Sequence, residues 1–144
     1  MYKKIAVAYN ESPEARRALA SAIHLAKILG AELRLITIVE GLPAFSAYAC
    51  AADPFLARML LEDQSNGYQQ LQAEAREAAL RQGVHVVLHL LDGEVADRLV
   101  EFLGHDKPDL LVMGLHRRTS HISRLWSTVY EIAQKAPCSV LGVH

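Results

Sequence analysis

The feature that most constrains the fold is the alternation of short, nearly all-apolar runs with longer segments of helical periodicity. The apolar runs lie at residues 4–9, 32–39, 84–91, 110–113 and 138–143. Short β-branched runs of this kind are typical of strands that are covered on both faces. Strands that alternate with helices pair in parallel through right-handed crossovers, so the pattern predicts an α/β fold with helices on both faces of a parallel sheet.

The segments between the runs carry start and stop signals of helices. Ser12, followed by a proline, predicts an N-cap, and Gly30 predicts the end of the first helix. Asp53, again followed by a proline, predicts the start of a second helix that ends near Gly83. The residues between the second strand and Asp53 are expected to form an irregular connection.

Two further positions bear on the helix boundaries. The Asn-Gly pair at residues 66–67 leaves open whether the second helix is one straight rod. Gly104 predicts the end of a short third helix over residues 95–103. Apolar residues at helical spacing over 122–133 predict a last helix, which Pro137 ends.

Chain length, composition and net charge limit the classes of protein to which this sequence can belong. A chain of 144 residues corresponds to about one domain, with 51% hydrophobic and 22% charged residues. The net charge of −1 argues against a general nucleic-acid-binding role. Two cysteines make no disulfide framework, the opening apolar run is too short for a signal peptide, and no stretch approaches a membrane span. We therefore expect a cytoplasmic protein.

The segment 108–128 is the first candidate for a binding site. It reads as a buried strand, a glycine, a basic loop and a helix, which is where α/β proteins commonly hold phosphate. If the first and fourth strands are neighbours, Asn10 and Gly114 face each other across the crevice beyond their carboxyl ends. A solvated polar loop and an anion site both remain open for the basic loop.

Four sequence pieces together resemble the universal stress protein family: AYNESPEARRAL, AELRLITIVE, PDLLVMG and APCSVLGVH. The resemblance covers about the full length and implies a single domain over residues 1–144. It implies a three-layer, adenine nucleotide alpha hydrolase-like fold, Rossmann-like, whose five-stranded parallel sheet has the order 3-2-1-4-5. It also implies a stress-response role and a homodimer that pairs through the last strand, from Cys138 to Val143.

The nucleotide-binding members of that family carry a glycine motif, and the chain keeps only part of it. Gly114 fills the first position, and Arg117 stands where the second glycine is expected. Ser127 replaces the third glycine, and Thr128 keeps the hydroxyl that follows it. Arg117 adds bulk where a glycine permits close approach, yet its guanidinium could itself hold phosphate.

The family resemblance places four further residues at the nucleotide. Asn10 stands where an aspartate meets the nucleoside, and Ile38 stands where main chain contacts adenine. Met113 lies on the floor of the site beside Gly114. Val129 follows Ser127 and Thr128 at the opening of the helix that receives the phosphates.

Chemistry beyond binding is not indicated. No spacing singles out a nucleophile and its base, and the sequence contains neither GxxxxGK[ST] nor GxGxxG. His85 and His89 would lie about 13 Å apart on one strand, too far to share a metal ion. The expectation is a non-enzymatic protein without metal that binds ATP, AMP or a related phosphate ligand, with slow nucleotide hydrolysis left open. The alternative is a homodimeric interaction protein of the same family that binds no nucleotide.

Overall fold

The strands form one parallel sheet in this computed structural model, which describes residues 1–41, 51–116 and 123–144, with side chains from 128 onward in the last range. The strands are β1 (Lys4–Ala8), β2 (Glu32–Val39), β3 (Val86–Asp92), β4 (Leu110–Gly114) and β5 (Ser139–Val143). Their order is β3-β2-β1-β4-β5, and every neighbouring pair is parallel. The predicted order is confirmed, and β1 and β4 are neighbours.

Helices cover both faces of the sheet. They are α1 (Pro13–Leu29), α2 (Pro54–Arg81), α3 (Val95–Asp106) and α4 (Ser123–Lys135). Alternate side chains of the strands point to opposite faces, so two cores form. One core joins the sheet to alanines of α1 and α2, and the other joins it to leucines of α3 and Ile132 of α4. Within the described ranges, none of the helices combines the length and apolar character that a bilayer crossing requires.

The predicted start of α1 and α2 is confirmed by their capping. The hydroxyl of Ser12 accepts a hydrogen bond from the backbone N–H of Ala15 at 3.1 Å. The carboxylate of Asp53 accepts hydrogen bonds from two backbone N–H groups of the first turn of α2. Gly30 ends α1 in the left-handed conformation, with φ of 62°. These local signals acted as expected because each is satisfied within a few residues.

The predicted end of α3 at Gly104 is wrong. The helix continues to Asp106, and Lys107 caps it at φ 52°, with its N–H donating to the carbonyl of Leu103 at 3.0 Å. Pro108 explains the change, because a residue that precedes proline is disfavoured in the helical conformation. A glycine inside a helix costs only about 1 kcal/mol, so Gly104 does not stop it.

The question left open for α2 is answered, because the helix runs through Asn66 and Gly67 as one helix. Several strand ends differ from expectation. Strand β3 begins at Val86 because the N–H of Val84 donates to Ala79 at the end of α2. Strand β1 ends at Ala8, one residue before the predicted end, and β5 begins one residue after Cys138. Most of the expected connection before Asp53, residues 42–50, lies outside the described residues, as does Ile122.

Candidate functional site

A cavity lies beyond the carboxyl ends of β1, β2 and β4, with α3 and α4 forming its opposite wall. Its volume is about 150 Å³. Such crevices at the carboxyl ends of parallel strands are where open α/β sheets bind ligands. The volume is smaller than the roughly 300–1,000 Å³ of typical ligand cavities, so the described cavity suits one part of a nucleotide rather than all of it.

The chemical character of the lining differs between the contributing elements. Strand β2 and helix α3 supply only apolar side chains: Ile36 and Ile38 from β2, Val95 and Leu99 from α3. The side chains with polar groups come from the segments that follow β1 and β4 and from α4, and they are Tyr9, Asn10, Ser12, His116 and Thr128. The cavity therefore offers an apolar surface on its β2 side and hydrogen-bonding groups beside the ends of β1 and β4.

Six of the eight residues proposed from sequence line this cavity. They are Asn10, Ile38, Met113, Gly114, Thr128 and Val129. Arg117 lies outside the described residues, and the side chain of Ser127 does as well. Their roles in binding stay predictions, although the fold brings the six together from four different elements.

The start of α4 corrects one part of the sequence prediction. The helix begins at Ser123, so residues 127–129 lie in its second turn rather than at its opening. Only the first four N–H groups of a helix lack an intrahelical partner, and in α4 these belong to residues 123–126. The backbone of Ser127, Thr128 and Val129 is therefore committed to the helix, and any contact with phosphate there depends on side chains.

Asn10 organises the loop between β1 and α1. Its side-chain oxygen accepts a hydrogen bond from the backbone N–H of Ser12 at 2.9 Å, which is an Asx-type turn. This turn places the N-cap of α1 at the edge of the cavity. An amide can perform this local role as well as a carboxylate can, but it brings no charge to the site.

Gly114 is required by packing as well as by position. A Cβ at this residue would lie 2.5 Å from the carbonyl carbon of Glu14 and 2.8 Å from the backbone nitrogen of Ala15. Real Cβ atoms do not approach so closely, so the first turn of α1 packs against the end of β4 only because residue 114 is glycine. The sequence interpretation, close approach of phosphate, did not anticipate this contact.

Sequence reasoning did not assign Glu14 to the site. The side chain of His116 lies with Nδ1 3.2 Å from Oε2 of Glu14, and Arg17 lies 3.6 Å from the other carboxylate oxygen. The backbone N–H of Glu14 itself is the main cause that lowers the pKa of its carboxyl, with further lowering by His116 and Arg17. No local pattern signals a contact between residues so far apart in the chain.

Tyr9 forms part of the cavity wall where β1 ends. Its side chain is buried, and burial is the main cause that raises the pKa of the phenol, while Arg16 opposes the shift. The phenol is therefore protonated at neutral pH. Among the described residues, no group of three or more His, Cys, Asp or Glu side chains is arranged to hold a metal ion.

Comparison with known proteins gives consistent results. The family model described as "Universal stress protein family" matches residues 1–144. A universal stress protein of Methanocaldococcus jannaschii is 30% identical over 144 residues, covering 99% of this chain and 82% of the relative.

Solved structures of the same family share the fold. A universal stress protein of Lactobacillus plantarum superposes with a TM-score of 0.80 at 21% identity, covering 99% of this chain and 98% of the other. A universal stress protein solved in complex with cAMP gives a TM-score of 0.67 at 26% identity, covering 99% and 97% of the two chains. The architecture is thus the adenine nucleotide alpha hydrolase-like fold.

Proposed function

The chain belongs to the universal stress protein family, and on that premise we propose that it binds an adenine nucleotide or a related phosphate ligand in the cavity between β1 and β4. The observation that carries the proposal is the division of the cavity lining. Apolar side chains from β2 and α3 suit the flat face of a base, and polar side chains beside the ends of β1 and β4 suit a ribose and phosphate. The relative in complex with cAMP supports the same ligand class.

In this proposal the base lies against Ile38, and the sugar and phosphate extend past Met113 and Gly114 toward Thr128 and Val129. Asn10 would meet the ribose through its amide. Arg117 would supply charge that the motif's missing glycine no longer provides through backbone amides. We propose that the protein binds this ligand without transforming it, and that it acts in the cytoplasm.

Calorimetric titration with ATP, ADP, AMP, cyclic AMP and adenosine tests the proposal. We expect saturable binding of at least one nucleotide, and Ile38→Glu to weaken it at least about tenfold, because a buried carboxylate is costly beside a base and repels phosphate. Ile28→Glu is the matched control, since Ile28 is 65% exposed on α1 and does not line the cavity. Absence of any heat signal at millimolar nucleotide would refute nucleotide binding.

The non-catalytic part of the proposal has its own assay. Incubation with ATP, followed by measurement of released phosphate, should give no more release than buffer. Release that persists through further purification and disappears in His116→Leu would show instead that the imidazole beside Glu14 acts as a general base.

A second candidate is a homodimeric interaction protein that binds no nucleotide. The position of α4 favours it, because the backbone N–H groups of residues 127–129 are committed to the helix. The small cavity volume favours it as well. The same titration separates the two candidates, since the second requires that none of the nucleotides binds while the dimer persists.

A further inference from the structure

The contact between Glu14 and His116 lies beside the cavity, because His116 is one of the polar residues that line it. It joins the first turn of α1 to the segment just after β4, across 102 residues of chain. Nδ1 of His116 and Oε2 of Glu14 are 3.2 Å apart, and the side chains are 34% and 19% exposed. His116 lines the cavity, so the group that Glu14 engages is one that a ligand would meet.

Backbone contacts of Gly114 and Leu115, the two residues before His116, hold the chain in place beside Glu14. The absent Cβ of Gly114 lets the backbone of Glu14 pack directly on the end of β4. Leu115, the next residue, donates its backbone N–H to the carbonyl of Val143 at 2.7 Å. Two rigid anchors therefore precede His116 directly, and its distance from Glu14 follows from the packing of α1 on the sheet.

Glu14 presents a carboxylate, not a neutral acid, to His116. Its backbone N–H, His116 and Arg17 all lower the pKa of its carboxyl. Arg17 is itself held in place, because its Nε donates to the carbonyl of His144 at 2.9 Å. The carboxylate thus stays beside His116, where it occupies an imidazole N–H that could otherwise be donated to phosphate.

We propose that Glu14 is a built-in competitor of the ligand's phosphate for His116. The inference rests on the proposed function and adds to it a residue that sets which ligands bind. One N–H at Nδ1 cannot be donated to the carboxylate and to a phosphate oxygen at once. A phosphate placed at His116 would also be repelled by the carboxylate of Glu14, whose Oε2 lies 3.2 Å from Nδ1 of His116. Binding of phosphate through Nδ1 therefore requires His116 to leave Glu14, whereas binding of the nucleoside alone does not.

The experiment compares AMP with adenosine in wild type and Glu14→Gln by calorimetric titration. We expect Glu14→Gln to bind AMP about two- to fivefold more tightly, which matches the typical strength of a partly exposed ion pair. Adenosine affinity should stay unchanged. Glu11→Gln is the matched control, since it removes the same charge from an exposed residue of the same loop and should leave both affinities unchanged. Circular dichroism and thermal melting check that each variant is folded.

The same comparison in a His116→Leu variant separates competition for His116 from simple repulsion of phosphate by the carboxylate of Glu14. In His116→Leu the gain from Glu14→Gln should disappear, because there is no longer an imidazole to release. A gain that persists in that background would overturn the proposal in favour of general repulsion by the carboxylate. Weaker AMP binding in Glu14→Gln would also overturn it, since Glu14 would then orient His116 for the ligand instead of competing.

The outcomes also separate this proposal from the proposed function. If wild type binds AMP and Glu14→Gln binds it equally, the competitor is refuted and nucleotide binding stands. If wild type binds no nucleotide and Glu14→Gln binds AMP or inorganic phosphate, the native protein does not bind nucleotide and the competitor stands. If neither protein binds any of these ligands, both proposals fail.

Discussion

At the scale of single residues, Gly114 has two roles that the sequence does not separate. The family motif suggests a glycine that lets phosphate approach the backbone. The structure shows that the space beside its Cα is taken by the backbone of Glu14 and Ala15. Its backbone is not in the left-handed region, so close approach rather than φ demands the glycine. Retention of this glycine therefore carries no weight, by itself, for nucleotide binding.

A Gly114→Ala variant should be less stable by about 1–3 kcal/mol, the usual cost of forcing an extra methyl group into a packed site. Gly104→Ala is the matched control. Apart from its chain neighbours and the backbone of its own helix, no atom lies within 4 Å of a Cβ built there, and the residue is inside α3. Because alanine favours helix over glycine, the control should gain about 0.5–1 kcal/mol. Urea denaturation measures both changes, and equal effects from the two variants would contradict the packing argument.

At the scale of secondary-structure elements, the sequence predicted the features that depend on local signals. The order of strands and helices follows from apolar periodicity, and the starts of α1 and α2 follow from Ser12 and Asp53. The end of α3 did not follow, because Lys107 adopts a left-handed conformation that only glycine adopts readily. The sheet order came from family resemblance, since periodicity alone does not order parallel strands.

In the candidate site, too, the sequence predicts what local pattern determines and misses what tertiary packing determines. Period-2 alternation in β2 places Ile36 and Ile38 on one face, which a sequence can predict. The pairing of Glu14 with His116 depends on how α1 packs on β4, and no sequence spacing encodes it. The sequence therefore predicted six of the residues that line the crevice, but it did not predict the contact between Glu14 and His116.

The packing of α3 against β3 supplies a pH-dependent element. The ring of His89 packs on Phe102 of α3, with centroids 4.6 Å apart, and its Nε2 is buried without a hydrogen-bond partner among the described residues. Burial is the main cause that lowers the pKa of His89, Asp106 of α3 opposes this shift, and Arg34 of β2 adds to it. The folded state thus favours the neutral imidazole.

The sign of the pH effect follows from that direction. The unfolded chain binds a proton at His89 near pH 6.5, whereas the folded chain does so only at lower pH. The contribution of His89 to stability is therefore full above about pH 6.5 and is lost as the pH falls below it. We expect the free energy of unfolding to fall less between pH 7.5 and 5.5 in His89→Leu than in wild type, measured by urea denaturation.

His24→Gln provides the control, because His24 is exposed on α1. It should keep the wild-type dependence on pH. An unchanged slope in His89→Leu would show that the imidazole does not contribute to acid sensitivity, and that other groups account for all of it.

At the scale of the whole molecule, both edges of the sheet could pair with a strand of another subunit. Strands β3 and β5 are the edges, and each leaves backbone N–H and C=O groups open to pairing. Each also carries a partly exposed leucine, Leu90 on β3 and Leu141 on β5, and both are 37% exposed. The family resemblance selects the β5 edge, so we propose a homodimer formed by pairing of β5 with its copy.

The equal exposure of the two leucines allows a matched test of this dimer. A charge at an edge strand disfavours pairing with another strand, so Leu141→Lys should convert the dimer into a monomer, while Leu90→Lys should leave it intact. Sedimentation analysis over a range of protein concentrations measures the association. A monomeric wild type, or dissociation caused equally by both substitutions, would contradict pairing through β5.

Because Leu115 donates to Val143 at the end of β5 and Arg17 donates to His144, such a dimer would place its interface next to the Glu14–His116 contact. Subunit pairing would then stabilise the backbone that carries His116, and Leu141→Lys should also alter AMP affinity through that connection.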